Sequence, residues 1–115
     1  ANAALLAPDP RDPAVGPADA KVTVIEFFDY RCPGCKAVSE DYLALIRAHP
    51  DVRFVFKEWP ILDRGDDTTS DYAARAALAA HAQGRYLAVH QALMAEPALD
   101  RGAVDRILTE NGVDL

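Results

Sequence analysis

The sequence has 115 residues, of which 50% are hydrophobic and 26% are charged, and its formal net charge at pH 7 is −6. This composition is typical of one globular domain and excludes a disordered chain. The acidic balance and the lack of a basic run argue against nucleic-acid binding, and no apolar stretch reaches the ~18 residues of a membrane span.

Residues 1–20 are expected to form a lead-in to the domain. Their alanine-rich start predicts a short helical stretch, and the prolines and glycine that follow exclude a long helix. Ala14 and Val15 predict a short edge strand. The first residues lack the basic and apolar regions of a signal peptide, so none is expected in this chain.

Residues 21–60 predict a βαβ unit. The segment "KVTVIEFFDY" is a near-continuous run of apolar residues, which favours a strand buried on both faces. Pro33 suits the first turn of a helix, which Pro50 ends. The apolar face of this helix is predicted to consist of Val38, Tyr42, Leu45 and Ile46. The alternation in "DVRFVFKEW" predicts a second strand, parallel to the first.

Residues 61–115 predict helices and no further strand. Thr68 and Asp71 have the spacing of a weak capping box, and Asp100 is a candidate N-cap for the last helix, which Gly112 ends. A small-residue face suited to close helix packing consists of Ala73, Ala76, Ala77 and Ala80. The three segments 1–20, 21–60 and 61–115 are expected to form a single compact unit.

The two cysteines, Cys32 and Cys35, stand where the first long strand ends and the helix begins. The unpaired N–H groups of a helix N-terminus favour the thiolate at Cys32, and a thiolate is the nucleophile in disulfide exchange. Arg31 and Lys36 are expected to add to this effect if their side chains lie near the sulfur. Cys35 is expected to be more buried and to resolve the mixed disulfide. A CxxC pair at the strand-to-helix junction of a βαβ unit is a strong redox signal.

Metal binding and structural crosslinking are the other roles open to the pair. A structural zinc site needs four ligands, and the three histidines show no ligand-pair spacing, so no zinc site and no other cofactor is expected. A disulfide across so short a loop would add little stability. A Cu(I) site at Cys32 and Cys35, alone or shared between two chains, stays open as the non-enzymatic alternative.

Three stretches of the sequence carry a family resemblance. "VTVIEFFDYRCPGCK", "FVFKEWPIL" and "AARAALAAHAQGRYLAVHQALM" resemble the DsbA-like thioredoxin-fold oxidoreductases of bacterial envelopes, and most closely their Com1-type and ScsC-type branch. The resemblance covers the chain from about Leu5. It implies an α/β fold in which a thioredoxin-like βαβ unit is followed, after Pro60, by an α-helical insertion.

The same resemblance implies a protein thiol–disulfide oxidoreductase of the periplasm or another extracytoplasmic space. Its partners would be protein substrates with cysteines and a redox partner protein. Oxidation or shuffling of client disulfides is the leading mode, and a reductase or isomerase kept reduced by a membrane partner is the alternative.

Four residues acquire catalytic roles from the resemblance. Cys32 takes the family's nucleophile position and Cys35 the resolving position. Glu26 matches the buried acid that exchanges a proton with the resolving cysteine, unless strand alternation turns it to solvent. Lys57 is the expected charge partner of Glu26, or else a lysine that extends to solvent at a strand end.

Four further residues are expected to contact substrate. Pro33 is common between the cysteines, whereas Gly34 stands where the family more often has an aromatic residue or a histidine, which leaves the strength of the oxidant open. Tyr30 could line the substrate groove. Trp59 either forms a peptide-binding rim or packs under the edge of the site.

The resemblance also implies a C-terminal ββα half, with a cis-proline loop facing the cysteines, for which this sequence has no counterpart after Pro97. Without that half, "VTVIEFF" is expected to present an exposed apolar edge. We therefore expect either a truncated form of a longer protein or a homodimer that pairs through this edge strand.

Overall fold

A computed structural model describes Asp9 and residues 11–114. In this part of the chain the elements are β1 (Ala14–Val15), β2 (Thr23–Phe28), α1 (Pro33–Ala48), β3 (Arg53–Glu58), α2 (Thr69–Ala82), α3 (Tyr86–Ala95) and α4 (Arg101–Glu110). The mixed α/β class predicted from the sequence is confirmed. The short helical stretch predicted at the start of the chain lies outside the described residues.

The three strands form one sheet in the order β1-β3-β2. β1 pairs antiparallel with β3, through Ala14 and Val55, and β2 pairs parallel with β3 along its whole length. The predicted edge strand and the predicted parallel pair are therefore both present. Within the described sheet β2 lies at an edge, so the strand that leads to the cysteines has one side free of strand partners.

The two faces of β2 and β3 have different surroundings. Val24, Glu26 and Phe28 share one face with their register partners on β3, and this face is covered by aromatic side chains from the helices. The opposite face carries Phe27, which is 43% exposed and packs edge-on against Trp59. The expectation that β2 is buried on both faces is therefore wrong.

Helix α1 buries a face that only partly matches the predicted one: Ile46 is buried and Tyr42 packs against the core, as predicted. Its buried residues are Ser39, Leu43 and Ile46, whereas Val38 and Leu45 are about half exposed. The buried set has the spacing i, i+4, i+7, which is also that of Val38, Tyr42 and Leu45, so spacing alone does not distinguish the two faces. Small Ser39 allows α1 to approach its neighbours, and this is a position that hydrophobicity does not mark.

The helical part is held together by small residues and by side-chain caps. The predicted alanine face of α2 is buried, as expected for close packing against α3 and α4. Asp100 caps α4 by accepting a hydrogen bond from the Ala103 N–H at 2.7 Å, as predicted. Thr68 precedes α2 but makes no side-chain cap, because its Oγ1 accepts from Arg101 instead.

Candidate active site

Cys32 occupies the N-cap position of α1, directly after the turn that follows β2. Its backbone is extended, Pro33 begins the helix, and the Cys35 N–H donates to Cys32 Sγ at 3.4 Å. This hydrogen bond is the main reason why the pKa of the Cys32 thiol is lowered, with smaller contributions from the Cys35 thiol and the Gly34 N–H. The sequence therefore folds locally into a site that stabilises a thiolate.

Cys35 lies one helical turn further in, and both cysteines are free thiols in this structure. Burial raises the pKa of the Cys35 thiol, and negative charge on Cys32 and Glu26 raises it further. The two sulfurs thus differ in opposite directions from an ordinary cysteine. Cys32 ionises first and is the better nucleophile at neutral pH, whereas Cys35 stays protonated and needs a base to become a nucleophile.

Arg31 and Lys36 do not stabilise the Cys32 thiolate, contrary to expectation. The Arg31 guanidinium pairs with Asp63 at 3.1 Å and with Asp67 at 2.6 Å. Lys36 Nζ donates to the carbonyl oxygens of Leu93 (2.9 Å) and Glu96 (2.8 Å) at the C-terminal end of α3. Both cations point away from the Cys32 sulfur and bind the start of α1 to the helical part. The Cys32 thiolate is therefore stabilised mainly by backbone N–H groups.

Asp29 is a buried acid in the turn before Cys32, and sequence reasoning assigned it no role. Its carboxylate accepts from the Arg31 N–H at 2.8 Å, from Ser70 Oγ at 2.8 Å and from the Leu62 N–H at 3.0 Å. Three hydrogen bonds from three segments fix the turn that carries Cys32. Its only sequence signal is its place directly after a buried strand.

Glu26 is turned inward, and its Oε1 is buried without a hydrogen-bond partner among the described residues. Burial raises the pKa of its carboxyl to about 7. At neutral pH the group is therefore divided between its two protonation states, as a proton donor and acceptor must be. The alternative that strand alternation turns Glu26 to solvent is wrong.

Lys57 is not the charge partner of Glu26. In the parallel register Glu26 pairs with Phe56, so Lys57 points to the opposite face of the sheet. There its Nζ forms a salt bridge with Asp12, whose side chain, like that of Lys57, is largely buried. The expected pair of Glu26 and Lys57 is wrong, because neighbouring residues on β3 point to opposite faces of the sheet. The catalytic role expected for Lys57 depended on this pair, so it is wrong as well.

The four expected substrate contacts divide into one buried and three exposed residues. Tyr30 is only 1% exposed, and its hydroxyl lies 2.7 Å from His90 Nδ1, so it cannot line a surface groove. Trp59 is 54% exposed, which contradicts packing under the site and leaves the rim interpretation. Pro33 and Gly34 are exposed beside Cys32.

A small apolar cavity of about 150 Å³ opens beside the cysteines, where β2 and β3 end. Its lining consists of Phe27, Phe28, Asp29, Cys32, Cys35, Trp59, Ile61 and Leu62. Three of these side chains, Phe27, Trp59 and Ile61, are unusually exposed for large apolar groups. We call this region the edge groove, and it places apolar surface directly next to the reactive sulfur.

Glu58 is a second buried acid that the sequence did not single out. Its Oε2 accepts from Tyr86 Oη at 2.7 Å and more weakly from Tyr30 Oη at 3.4 Å, while its Oε1 is buried without a partner in the described structure. Burial raises the pKa of Glu58 to about 8. A signal was available, because Glu58 continues the alternation of the buried Phe54 and Phe56.

The described residues offer neither a metal cluster nor a membrane-spanning helix. Residue 9 and residues 11–114 contain no group of three or more histidine, cysteine or acidic side chains that could hold a metal ion. None of their helices combines the length and the apolar character needed to cross a membrane.

A parallel βαβ unit with a low-pKa cysteine between its first strand and its helix, and a second cysteine one turn into the helix, defines the thioredoxin-like class of dithiol redox folds. The chain belongs to the thioredoxin family: the family profile described as thioredoxin matches residues 9–108. Among solved structures, a thioredoxin-like oxidoreductase from Silicibacter pomeroyi DSS-3 is 47% identical, with a TM-score of 0.82 over 92% of this chain. The catalytic domain of Proteus mirabilis ScsC is 27% identical, with a TM-score of 0.84 over 96% of this chain.

A periplasmic thioredoxin-like protein from Salmonella enterica serovar Typhimurium is 28% identical, with a TM-score of 0.86 over 98% of this chain. The resemblance to thiol–disulfide oxidoreductases of the DsbA and ScsC type is thus confirmed. This chain spans 60% of the Silicibacter protein, 62% of the ScsC domain and 64% of the Salmonella protein. Among curated proteins, Na(+)/H(+) antiporter NhaA 3 of Salinispora tropica is 37% identical over 85 residues, which are 74% of this chain and 13% of the antiporter.

Proposed function

We propose that this chain exchanges disulfides with cysteine-containing proteins through Cys32 and Cys35. The observation that carries the proposal is the hydrogen bond from the Cys35 N–H to Cys32 Sγ at the start of α1. It stabilises the thiolate of Cys32, while burial keeps Cys35, the other cysteine of the edge groove, protonated. The different surroundings of the two sulfurs thereby make Cys32 the nucleophile and Cys35 the resolving cysteine.

The electrons and protons of the reaction are all supplied by Cys32, Cys35, the client thiols and the carboxyl group of Glu26. When the chain oxidises a client, a client thiolate attacks Cys32 Sγ and the Cys32–Cys35 bond breaks. Cys35 leaves as a thiolate and takes a proton from Glu26. A second client thiolate then attacks the client sulfur of the mixed disulfide, and Cys32 leaves as the stabilised thiolate. Reduction of a client follows the same steps in reverse, with Glu26 accepting the proton.

The pKa of Cys32 tests this proposal directly. The rate of alkylation of Cys32 by iodoacetamide, measured in the Cys35→Ala variant and in wild type between pH 4 and 10, should have its midpoint below the ~8.5 of a free cysteine. Wild type should have the lower of the two midpoints, because Cys35→Ala removes the thiol hydrogen bond and keeps the N–H. A midpoint at the ordinary value in both proteins would remove the basis for a nucleophilic Cys32.

The edge groove suits an extended peptide that carries the client cysteine. Its apolar surface begins at the end of β2, and the free edge of this strand offers unpaired N–H and C=O groups for an added strand. Trp59 is the largest exposed side chain there and forms one rim. Pro33 and Gly34 leave the approach to Cys32 open, since even a Cβ on Gly34 would lie 3.9 Å from Cys32 Sγ.

Trp59→Ala should therefore weaken client binding. We expect a KM for a cysteine-containing peptide about 5- to 10-fold higher, as for loss of one aromatic anchor, and a free energy of unfolding lowered by about 1 kcal/mol, because the edge-on contact with Phe27 is lost. Leu78→Ala, which also truncates an exposed apolar side chain but on α2, is the matched control. Equal effects of the two variants on KM would contradict a role for the edge groove.

Oxidation of clients is the favoured direction. Stabilising the Cys32 thiolate stabilises the reduced form, which makes the disulfide a stronger oxidant. Equilibration with glutathione should give a reduction potential above that of the cytosolic pool, and a value below it would indicate the reductase or isomerase kept reduced by a membrane partner. Stoichiometric Cu(I) binding without disulfide exchange would favour the metal-binding alternative.

An extracytoplasmic location fits this function, because disulfides persist in oxidising compartments, and the periplasmic Salmonella structure supports it. A redox partner protein that reoxidises the cysteine pair is part of the same proposal. The homodimer through the edge of β2 also stays a prediction. Light scattering should show a mass that rises with protein concentration, and a constant monomer mass would exclude it.

A further inference from the structure

Glu26 and Glu58 place their carboxyl groups in the same apolar layer, which lies between the sheet and the helices that cover it. The register of β2 and β3 pairs Glu26 with Phe56 and Phe28 with Glu58, so the two acids are diagonal neighbours on one face of the sheet. Helices α1 and α3 cover this face with Tyr42 and Tyr86. Each acid keeps one buried oxygen without a hydrogen-bond partner in the described part of the chain.

Two carboxylates that are diagonal neighbours in an apolar layer repel each other, so they lose their protons one at a time. The groups that face Glu58 do not remove this repulsion. Tyr86 and Tyr30 donate hydrogen bonds but carry no charge, and burial lowers the pKa of His90 to about 4, so its ring is neutral above that pH. Asp29 adds negative charge, and Lys57 lies on the other face.

We propose that Glu58 is a positioning residue for the reaction at Cys35: its carboxyl, oriented by Tyr86, stays protonated, so Glu26 is the one glutamate on this face that carries charge while it exchanges a proton with Cys35. The inference rests on the proposed function. As the mixed disulfide resolves, the Cys35 proton passes to Glu26, the Cys35–Cys32 bond forms, and the client sulfur leaves as a thiolate. Glu58 keeps its proton throughout.

The raised pKa values of the two acids agree with this arrangement. Glu58 has the higher value, to which the charge of Glu26 contributes, so Glu26 ionises first and Glu58 second. When Glu58 ionises at alkaline pH, a second negative charge enters the layer next to Cys35. That charge opposes formation of the Cys35 thiolate and slows resolution.

Carboxyl ¹³C NMR titration of the intact chain tests the coupling without any need for activity. In wild type we expect the side-chain carbons of Glu26 and Glu58 each to report both ionisation steps. In Glu26→Gln, Glu58 should titrate in one step, at least half a pH unit lower than in wild type, because it no longer ionises beside a charge. An unchanged Glu58 midpoint, or independent one-step curves in wild type, would overturn the inference.

A kinetic experiment tests the consequence for Cys35. The Cys32 mixed disulfide with thionitrobenzoate releases a coloured thiolate when Cys35 attacks, in a single turnover. Glu58→Gln should match wild type at pH 6 and resolve at least threefold faster at pH 9, whereas Glu110→Gln, at an exposed site, should match wild type at both. A slower or equal rate at pH 9 would contradict the inference, while loss of thiolate release in wild type itself would contradict the proposed function instead.

Discussion

Cys32→Ser should abolish disulfide exchange, with a loss of about three orders of magnitude or more, whereas Cys35→Ser should stop the reaction halfway. The difference follows from the surroundings of the two sulfurs. Cys32 Sγ accepts a hydrogen bond from the Cys35 N–H, which lowers the pKa of its thiol, so it is the sulfur expected to form the client bond. Cys35 is deeper and is needed only to break that bond.

Non-reducing electrophoresis with a disulfide-containing client distinguishes the two variants. Cys35→Ser should accumulate a covalent adduct with the client that disappears on reduction, and Cys32→Ser should form none. The double variant is the control for non-specific crosslinking. Adducts through Cys35 in the Cys32→Ser protein, at the rate seen in Cys35→Ser, would show that the roles of nucleophile and resolving cysteine are reversed.

Glu26→Gln should slow the resolution of the mixed disulfide roughly 10- to 100-fold between pH 6 and 8, as for loss of a general base. The glutamine keeps the shape of the side chain but cannot take the Cys35 proton. Single-turnover release of thionitrobenzoate from Cys32 measures this step. If the variant resolves as fast as wild type across that pH range, Glu26 has no part in proton transfer.

The same substitution should raise the stability of the fold at alkaline pH. Burial raises the pKa of Glu26 from 4.5 to about 7, so between these values the folded chain binds more protons than the unfolded chain. Stability contributed by this group is complete below pH ~4.5 and falls as pH rises through about 7. Because the side chain is only partly buried, we expect Glu26→Gln to gain about 1–2 kcal/mol at pH 8 and nothing at pH 4, by urea denaturation.

The parts of the fold that depend on neighbouring residues could be predicted from the sequence. Apolar runs and prolines located β2 and α1, and the place of Cys32 between them followed directly, because a strand end and a helix start are local features. The alanine face of α2 could be predicted for the same reason. Asp100 was recognisable as a cap because its hydrogen bond closes within three residues.

The parts of the site that depend on distant partners could not be predicted. Lys57 pairs with Asp12, which is 45 positions away, and no pattern near either residue indicates the pair. Tyr30 lies next to the cysteine motif but is buried, because His90, 60 positions away, supplies a partner for its hydroxyl. The predicted face of α1 was partly wrong because one of its buried positions is Ser39, a polar residue that a search for hydrophobic spacing does not detect.

The anchors on either side of the cysteine motif have a mechanical consequence. Arg31 is bound to the loop before α2, and Lys36 is bound to the end of α3. The turn that carries both sulfurs is therefore held at each end by a different part of the helical region. Any outward swing of those helices would pull the Cys35 amide away from its acceptor and raise the energy of the ionised sulfur. The reduction potential of the cysteine pair therefore depends on the positions of α2 and α3, to which the two anchors are bound.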